Sequence, residues 1–227
     1  MKQSYGLPVV DLQNLSELIR SREVDRFHKF AEAVPLEEYL KMDLTEDEKK
    51  ELRFAPKIEA VKFKDPQGEN FTGFRNVFKN GVLTFALLPG NLLPVCAEFR
   101  HGCERVMLNL PSGLIEPSDA SPKAAARREF EEETGIALQK IIPLNPKGIP
   151  VDARSSTRQN FFFLGTLANP PKLKKLKMQK AEFIATFLIH ADNWLKLMES
   201  GTVDGCSVSG TLLALKKLNL MGPNRFS

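Results

Sequence analysis

Cysteine is scarce in this chain of 227 residues: only Cys96, Cys103 and Cys206 occur. Their number is odd and no pair has the spacing of a metal knuckle, so neither a disulfide framework nor a zinc site is expected, and a reducing compartment suits them. Long apolar runs are missing too. No stretch approaches the ~18 apolar residues of a membrane span, and the opening MKQSYGLPVVDLQNL lacks a basic segment leading into an apolar run of about 7–15. The expectation is a cytoplasmic protein that does not cross a membrane. Charge of one sign is not in large excess, since 32 Lys+Arg against 28 Asp+Glu leave +4, and that balance does not call for nucleic acid. The three histidines, His28, His101 and His190, fall at no ligand or triad spacing, and no Gly-x-Ser-x-Gly elbow, internal repeat or low-complexity tract is present. Disulfide mini-proteins, zinc modules, membrane spans and serine hydrolases of the elbow type are thereby set aside.

What is present is an ordinary globular composition, 42% hydrophobic and 26% charged, long enough for one large core with a smaller attachment. Residues 10–53 carry apolar positions at helical spacing, from Leu12, Leu15, Leu18 and Ile19 to Phe27, Phe30, Ala31 and Val34, with Thr45 and Glu48 at capping-box distance. From about residue 57 the period shortens in KIEAVKFK, FTGFRNVF, GVLTFALL and LLPVCAEF, so 57–110 is expected to be mostly antiparallel strands. Asn80-Gly81 reads as a type I′ hairpin turn and Pro89-Gly90-Asn91 as the next turn. A helix over about 121–134 is the best punctuated element: Ser121 for the N-cap, Pro122 at the first position, Ala124 to Ala126 as strong formers and Gly135 as the stop. An irregular stretch to about 156, strands at NFFFLGTL and FIATFLI, and helices near 192–200 and 207–219 complete the reading. The division is a helical extension over 1–56 followed by the main domain over 57–227.

The 121–134 helix ends in RREFEEETGI. Carboxylates there face the negative pole of the backbone dipole, at a cost of a few tenths to ~1 kcal/mol each, and repel one another. Glu129, Glu132 and Glu133 are three and four apart, hence on one face, while Glu131 points elsewhere. A hard divalent cation takes oxygen ligands and would remove both penalties. Just before the helix, LNLPSGLIEP is an apolar strand ending in Pro-Ser-Gly, so the chain turns sharply and lays the acidic helix against the strand it has left.

GLIEPSDASPKAAARREFEEETGI resembles the signature box of the Nudix hydrolases: Gly, five residues, Glu, seven residues, then Arg-Glu-apolar-x-Glu-Glu-x-Gly-apolar. Gly113, Arg128, Glu129, Phe130, Glu132, Glu133, Gly135 and Ile136 fill eight of its nine defined positions. The ninth departs, because Gly113 and Arg128 stand fifteen apart instead of fourteen and Ala120 falls where the first Glu would be, leaving Asp119 to substitute through a one-residue bulge. The resemblance implies an α/β fold, the Nudix α/β/α sandwich around a mixed sheet, occupying 57–227 behind an N-terminal helical and β-rich extension. It also implies Mg2+, with Mn2+ the alternative, held by Glu129, Glu132 and Glu133 with the carbonyl at Ser112. Glu132 and Glu133 are also the candidate catalytic residues, and Arg128 would hold the acidic helix by ion pairs.

Outside the box, AEFRHGCERVMLNLPSG is similar to a segment of the ADP-ribose and ADP-sugar pyrophosphatases, with Arg100 at their arginine and Asn109 and Ser112 in place of Glu and Ala. That branch implies a nucleoside diphosphate sugar substrate and a homodimer built through the N-terminal extension. Arg100, and Arg154 and Arg158 in IPVDARSSTRQNFFF, are the candidate substrate-binding residues, although Gln159 stands where the branch has a glutamate. In that branch a glutamate from the loop before the strand that here reads FIATFLI commonly helps activate the water, and the resemblance makes Glu182, the only acid between Asp152 and Asp192, the candidate base. The run KLKKLKMQK, with Lys172, Lys174, Lys175, Lys177 and Lys180, keeps an RNA-directed alternative open, but it lacks the aromatic interleaving of single-strand binders. A non-catalytic binding module of the same fold is the other alternative.

Overall fold

The segment GVLTFA is buried along its whole length, and its residues divide strictly by parity between two apolar clusters. Val82 and Ala86 join one cluster, Leu83 and Phe85 the other. A strand buried on both faces needs cover on both sides. In the computed structural model, which describes residues 2–167, 172–173 and 183–221, the elements run β1 (Gln3–Ser4), β2 (Leu7–Val10), α1 (Leu15–Ser21), α2 (Leu36–Tyr39), α3 (Glu46–Glu51), β3 (Lys57–Lys64), β4 (Asn70–Val77), β5 (Gly81–Ala86), β6 (Leu92–Arg100), β7 (Arg105–Asn109), β8 (Ser112–Leu114), α4 (Pro122–Thr134), β9 (Leu138–Pro143), β10 (Ile149–Pro150), β11 (Gln159–Leu167), β12 (Ile184–His190), α5 (Ala191–Glu199) and α6 (Gly205–Lys217).

Two sheets make up the larger body, in the orders β1-β2-β12-β6-β7 and β10-β11-β5-β8, with β9 beside β11. They are mixed: β11 runs parallel to β5 and β12 parallel to β2, whereas β12 with β6 and β6 with β7 are antiparallel. Ala125, Ala126 and Phe130 of α4 close the cluster holding Val82, Ala86, Phe163 and Leu188. Leu15 and Leu18 of α1, Trp194 of α5 and Ala214 of α6 close the cluster holding Leu83, Phe85, Phe162 and Phe187. Helices thus cover both faces, the α/β/α sandwich. The approach of α6 depends on Gly210, where a Cβ would come within 2.6 Å of Leu83 Cδ2.

The chain divides into two compact units, one of Met1–Phe27, Lys79–Val151 and Gln159–Ser227, the other of His28–Phe78 and Asp152–Arg158. The second contains α2, α3 and the β3–β4 hairpin, to which the 152–158 loop is tied by Asn76 N–H on Ser155 O (2.7 Å) and Thr157 N–H on Asn76 O (2.9 Å). The sequence boundary at residue 56 falls inside this unit.

Several local expectations change. Asn80-Gly81 does not close a hairpin: β4 pairs with β3 and β5 with β11 and β8, and neither residue has positive φ. Asn80 instead receives Gln159 N–H on Oδ1 (3.0 Å) and Ile115 N–H on its carbonyl (3.0 Å). Positive φ falls at Gly90 and Asn91 (82° and 56°), between the bridged Leu88 and Leu92. Strands β1, β2, β9 and β10 occupy stretches without a readable period; each is short or leans on a neighbour for its ladder, as β2 does on β12. The Thr45–Glu48 capping box is present as expected.

Candidate active site

The α4-facing side of β6 begins apolar at Leu92 and turns polar at Cys96, Glu98 and Arg100, every second residue sharing that face. Over the same face lies the last turn of α4. Its start is fixed by Ser121, whose side chain accepts Ala124 N–H, and its end by Gly135 at φ 69°. Between these caps the helix places Phe130 in the core and turns Glu129 and Glu133 toward β8.

Each acid has its own neighbours. Glu129 lies directly over Gly113, where a Cβ would sit 2.2 Å from its carboxyl carbon; the glycine is a steric requirement of the helix's seat. Glu133 Oε2 accepts Ser112 N–H (3.0 Å) and the Cys96 thiol (3.6 Å). Burial pushes Glu133 up to about 8, aided by the charges of Glu129 and Glu98 and opposed by the Ser112 and Cys96 hydrogen bonds. The same burial, with Glu133 beside it, raises the Cys96 thiol. Glu132 is met by Arg128 Nη1 at 3.2 Å, and the same nitrogen is 2.9 Å from Glu129. Glu131 turns away, as the helix phase requires, to Leu138 N–H (3.3 Å) and Arg127 (3.5 Å).

Arg128 is the organising cation. It donates Nε and Nη2 to the two oxygens of Asp119 (3.0 and 2.8 Å) and Nη2 to Leu114 O (3.1 Å). Asp119 also accepts Glu116 N–H (2.9 Å), which draws the extra residue of the loop into a turn. Asp119, and not Ala120, is thus the loop residue that meets Arg128. The bond to Arg128 holds the Asp119 carboxyl below the usual range, and the guanidinium is correspondingly harder to deprotonate.

The donor set suits a hard divalent cation: three carboxylates on one helix end, a backbone turn at Ser112, and a nearby buried amide oxygen, Asn109 Oδ1, with no hydrogen-bond partner. As placed, Glu129 and Glu132 share Arg128 Nη1 and Glu133 is bound to Ser112 N–H, and among the described residues no three His, Cys, Asp or Glu side chains are already gathered to hold an ion. Closing on a cation therefore means exchanging Arg128 contacts for metal contacts.

Of the residues named from the sequence, Ser112 meets Glu133, and Glu129 and Glu132 meet the same Arg128 nitrogen. Arg100 stands beside them through Glu98, in a two-point pair at 2.9 and 3.1 Å. Arg154 and Arg158 belong to the second unit, where Arg154 lines a cavity of about 240 Å³ with Phe63, Phe74 and Arg75. Glu182, Lys174, Lys175, Lys177 and Lys180 lie outside the described residues; Lys172 is exposed. Glu98 and Cys96 were not singled out by the sequence reading, although the two-residue alternation of β6 with Arg100 would have grouped them.

No curated protein sequence matches the chain. Among solved structures it is similar to a crystal structure of an ADP compounds hydrolase, with a TM-score of 0.62 and 19% identity over 74% of this chain and 89% of that one, a likeness of fold. No described helix is long and apolar enough to cross a membrane. The NUDIX domain model matches residues 80–200, which takes in both sheets' central strands, the glycine turn and the acidic helix, and the chain belongs to the NUDIX family.

Proposed function

We propose that this protein hydrolyses the pyrophosphate of a nucleoside diphosphate sugar, ADP-ribose or another ADP-sugar by preference, to a nucleoside monophosphate and a sugar phosphate. The observation that carries the reading is the seating of α4 on the β8 turn, with Glu129 over Gly113 and Glu133 on the Ser112 N–H. Such packing orients three carboxylates at a place where the helix itself disfavours them. The likeness in fold to an ADP compounds hydrolase and the Arg100 segment support the substrate class.

In this reading Glu129, Glu132, Glu133 and the Ser112 carbonyl would hold Mg2+, or Mn2+. When bound, the ion supplies neutralisation of the pyrophosphate oxygens and a lower pKa for the attacking water. The remaining work belongs to the chain. Arg128 and Asp119 fix the loop and the helix face. Cys96 and Ser112 set the rotation of the Glu133 carboxyl. Arg100, steadied by Glu98, is assigned to the substrate's phosphates, and Arg154 and Arg158 to its binding. Glu182 is assigned to take the proton of the water. The extension over residues 1–56 ahead of the catalytic domain at 57–227, a homodimer and a cytoplasmic location complete the proposal.

The test is phosphate release after coupling to a phosphomonoesterase, on a panel of ADP- and UDP-sugars with Mg2+. Turnover of one or more sugars, lost in a chelator, is the expected result. A panel without turnover at high enzyme concentration would remove the assignment as an enzyme of this class.

A further inference from the structure

On the α4-facing side of the first sheet, three polar residues form one row. Thr186 on β12, Cys96 on β6 and Asn109 on β7 are in-register partners, and residues so paired share a face with Cβ atoms about 4.5–5.5 Å apart. Two of the three are joined to each other and to the acidic helix: Thr186 Oγ1 and Cys96 Sγ lie 3.5 Å apart, and Cys96 Sγ reaches Glu133 Oε2 at 3.6 Å. Asn109 is only 1% exposed. It donates Nδ2 to Leu110 O (3.3 Å) and to Ser112 Oγ (3.5 Å). Its Oδ1 is the one buried side-chain N or O atom among the described residues without a hydrogen-bond partner.

A buried acceptor left open is rare and calls for a donor from outside the protein. Two separate paths bring Asn109 to the carboxylate cluster. Across the ladder, Asn109 adjoins Cys96, which touches Glu133. Around the Pro111 turn, it adjoins Ser112, whose N–H binds the same Glu133 oxygen. A buried amide oxygen on a residue that adjoins two partners of Glu133 suits a hydrated cation, because Mg2+ and Mn2+ retain waters whose O–H groups are donors. The segment's resemblance to the ADP-sugar branch has a glutamate where Asn109 stands. The amide keeps an acceptor there without adding another negative charge to Glu98, Glu129 and Glu133.

We propose that Asn109 is a positioning residue of the cation site, its Oδ1 accepting a hydrogen bond from the hydration shell of a divalent ion held by Glu129, Glu132 and Glu133. The inference rests on the metal-dependent reading above. It is tested on the full chain by Mn2+ titration, following free Mn2+ by electron paramagnetic resonance, together with melting in a chelator. Asn109→Leu removes the acceptor and is expected to raise the Mn2+ dissociation constant ~10-fold or more, the usual scale for losing an outer-shell partner, without lowering the metal-free melting temperature. Asn109→Asp keeps an oxygen at the place and is expected to bind Mn2+ at least as well as the unaltered chain; Asn109→Ala is run beside Asn109→Leu in case leucine strains the turn. Unchanged affinity in both Asn109→Leu and Asn109→Ala overturns the proposal, as does an equal loss in Asn109→Asp, which would assign the effect to the Nδ2 clamp. Mn2+ binding that Glu132→Gln weakens and Asn109→Leu does not would remove this inference alone. No Mn2+ binding by the unaltered chain would remove both it and the reading beneath it.

Discussion

Helices α3 and α4 carry similar charges in opposite order. In α3, Glu46, Asp47 and Glu48 occupy the first turn and Lys49 and Lys50 the last, Thr45 closes a capping box, and the lysines pair back to Glu46 (2.8 Å) and Asp47 (2.9 Å). Every charge there agrees with the dipole and finds a partner within one turn. In α4 neither an acid in the first turn nor a base in the last is present, and Glu131, Glu132 and Glu133 crowd the C-terminal end. Its carboxylates are answered by Ser112 from β8, by Cys96 from β6, and by the helix's own Arg127 and Arg128, the second anchored to a loop aspartate. A helix whose charges all agree with its dipole can be structural, whereas one that keeps carboxylates at its negative end and draws on tertiary partners for them is a candidate place for charge kept for a ligand.

The comparison is broken most directly by neutralising one acid in each helix. Glu132→Gln and Glu133→Gln are expected to cut turnover more than ~100-fold, beyond the loss typical of an outer-shell partner, while Glu46→Gln in α3 leaves it unchanged. Steady-state rates with Mg2+ decide it, and near-normal turnover in both α4 variants would remove the metal site from that helix.

Next in size is a dependence of metal-free stability on pH. Glu133 titrates at about 8 in the fold against 4.5 unfolded, so between those values the native state binds a proton that the unfolded chain has lost. Its contribution is present below about pH 4.5, declines as pH rises, and is gone above about pH 8, on the order of a few kcal/mol in all. Melting in a chelator at pH 5, 6.5 and 8.5 should show the unaltered chain losing ground to Glu133→Gln as pH rises; parallel curves would contradict the burial of that carboxyl.

Asp119→Asn weakens the anchor of Arg128. The Asp119 side chain is 6% exposed and makes a two-point bond, so a loss of about 1.5–3 kcal/mol is expected in denaturant melts, with weaker Mg2+ binding because Arg128 is free to stay on Glu132. The smallest effect belongs to Thr45→Ala, which removes the α3 cap and should lower the melting temperature by about 2 °C with turnover untouched. Any change in kcat there would mean that α3 is not merely structural.

Legibility followed the range of the forces involved. The α4 boundaries were readable because a serine cap, an N1 proline and a C′ glycine act within one turn. Strands β5, β11 and β12 were readable because burial on both faces demands continuous apolar runs. Asn80-Gly81 misled, since an Asn-Gly pair is permitted positive φ without being forced into it, and β5 found its partners in β11 and β8 instead. Exposed apolar residues show the same limit: Ile58 and Phe74 on the β3–β4 hairpin remain 65% and 68% exposed, although a period of two would have buried one face.

The sequence by itself determined that a glycine turn precedes a helix with three carboxylates on one face, because helical phase and the need for a missing Cβ are properties of the chain alone. Only the tertiary structure decided which groups meet those carboxylates. The strand ladder brings Cys96, Glu98 and Asn109, separated along the chain from Glu133, onto its side of the sheet, and the loop bulge lets Asp119 rather than Ala120 face Arg128. Spacing fixes what one element presents; burial and cross-strand register fix what it meets.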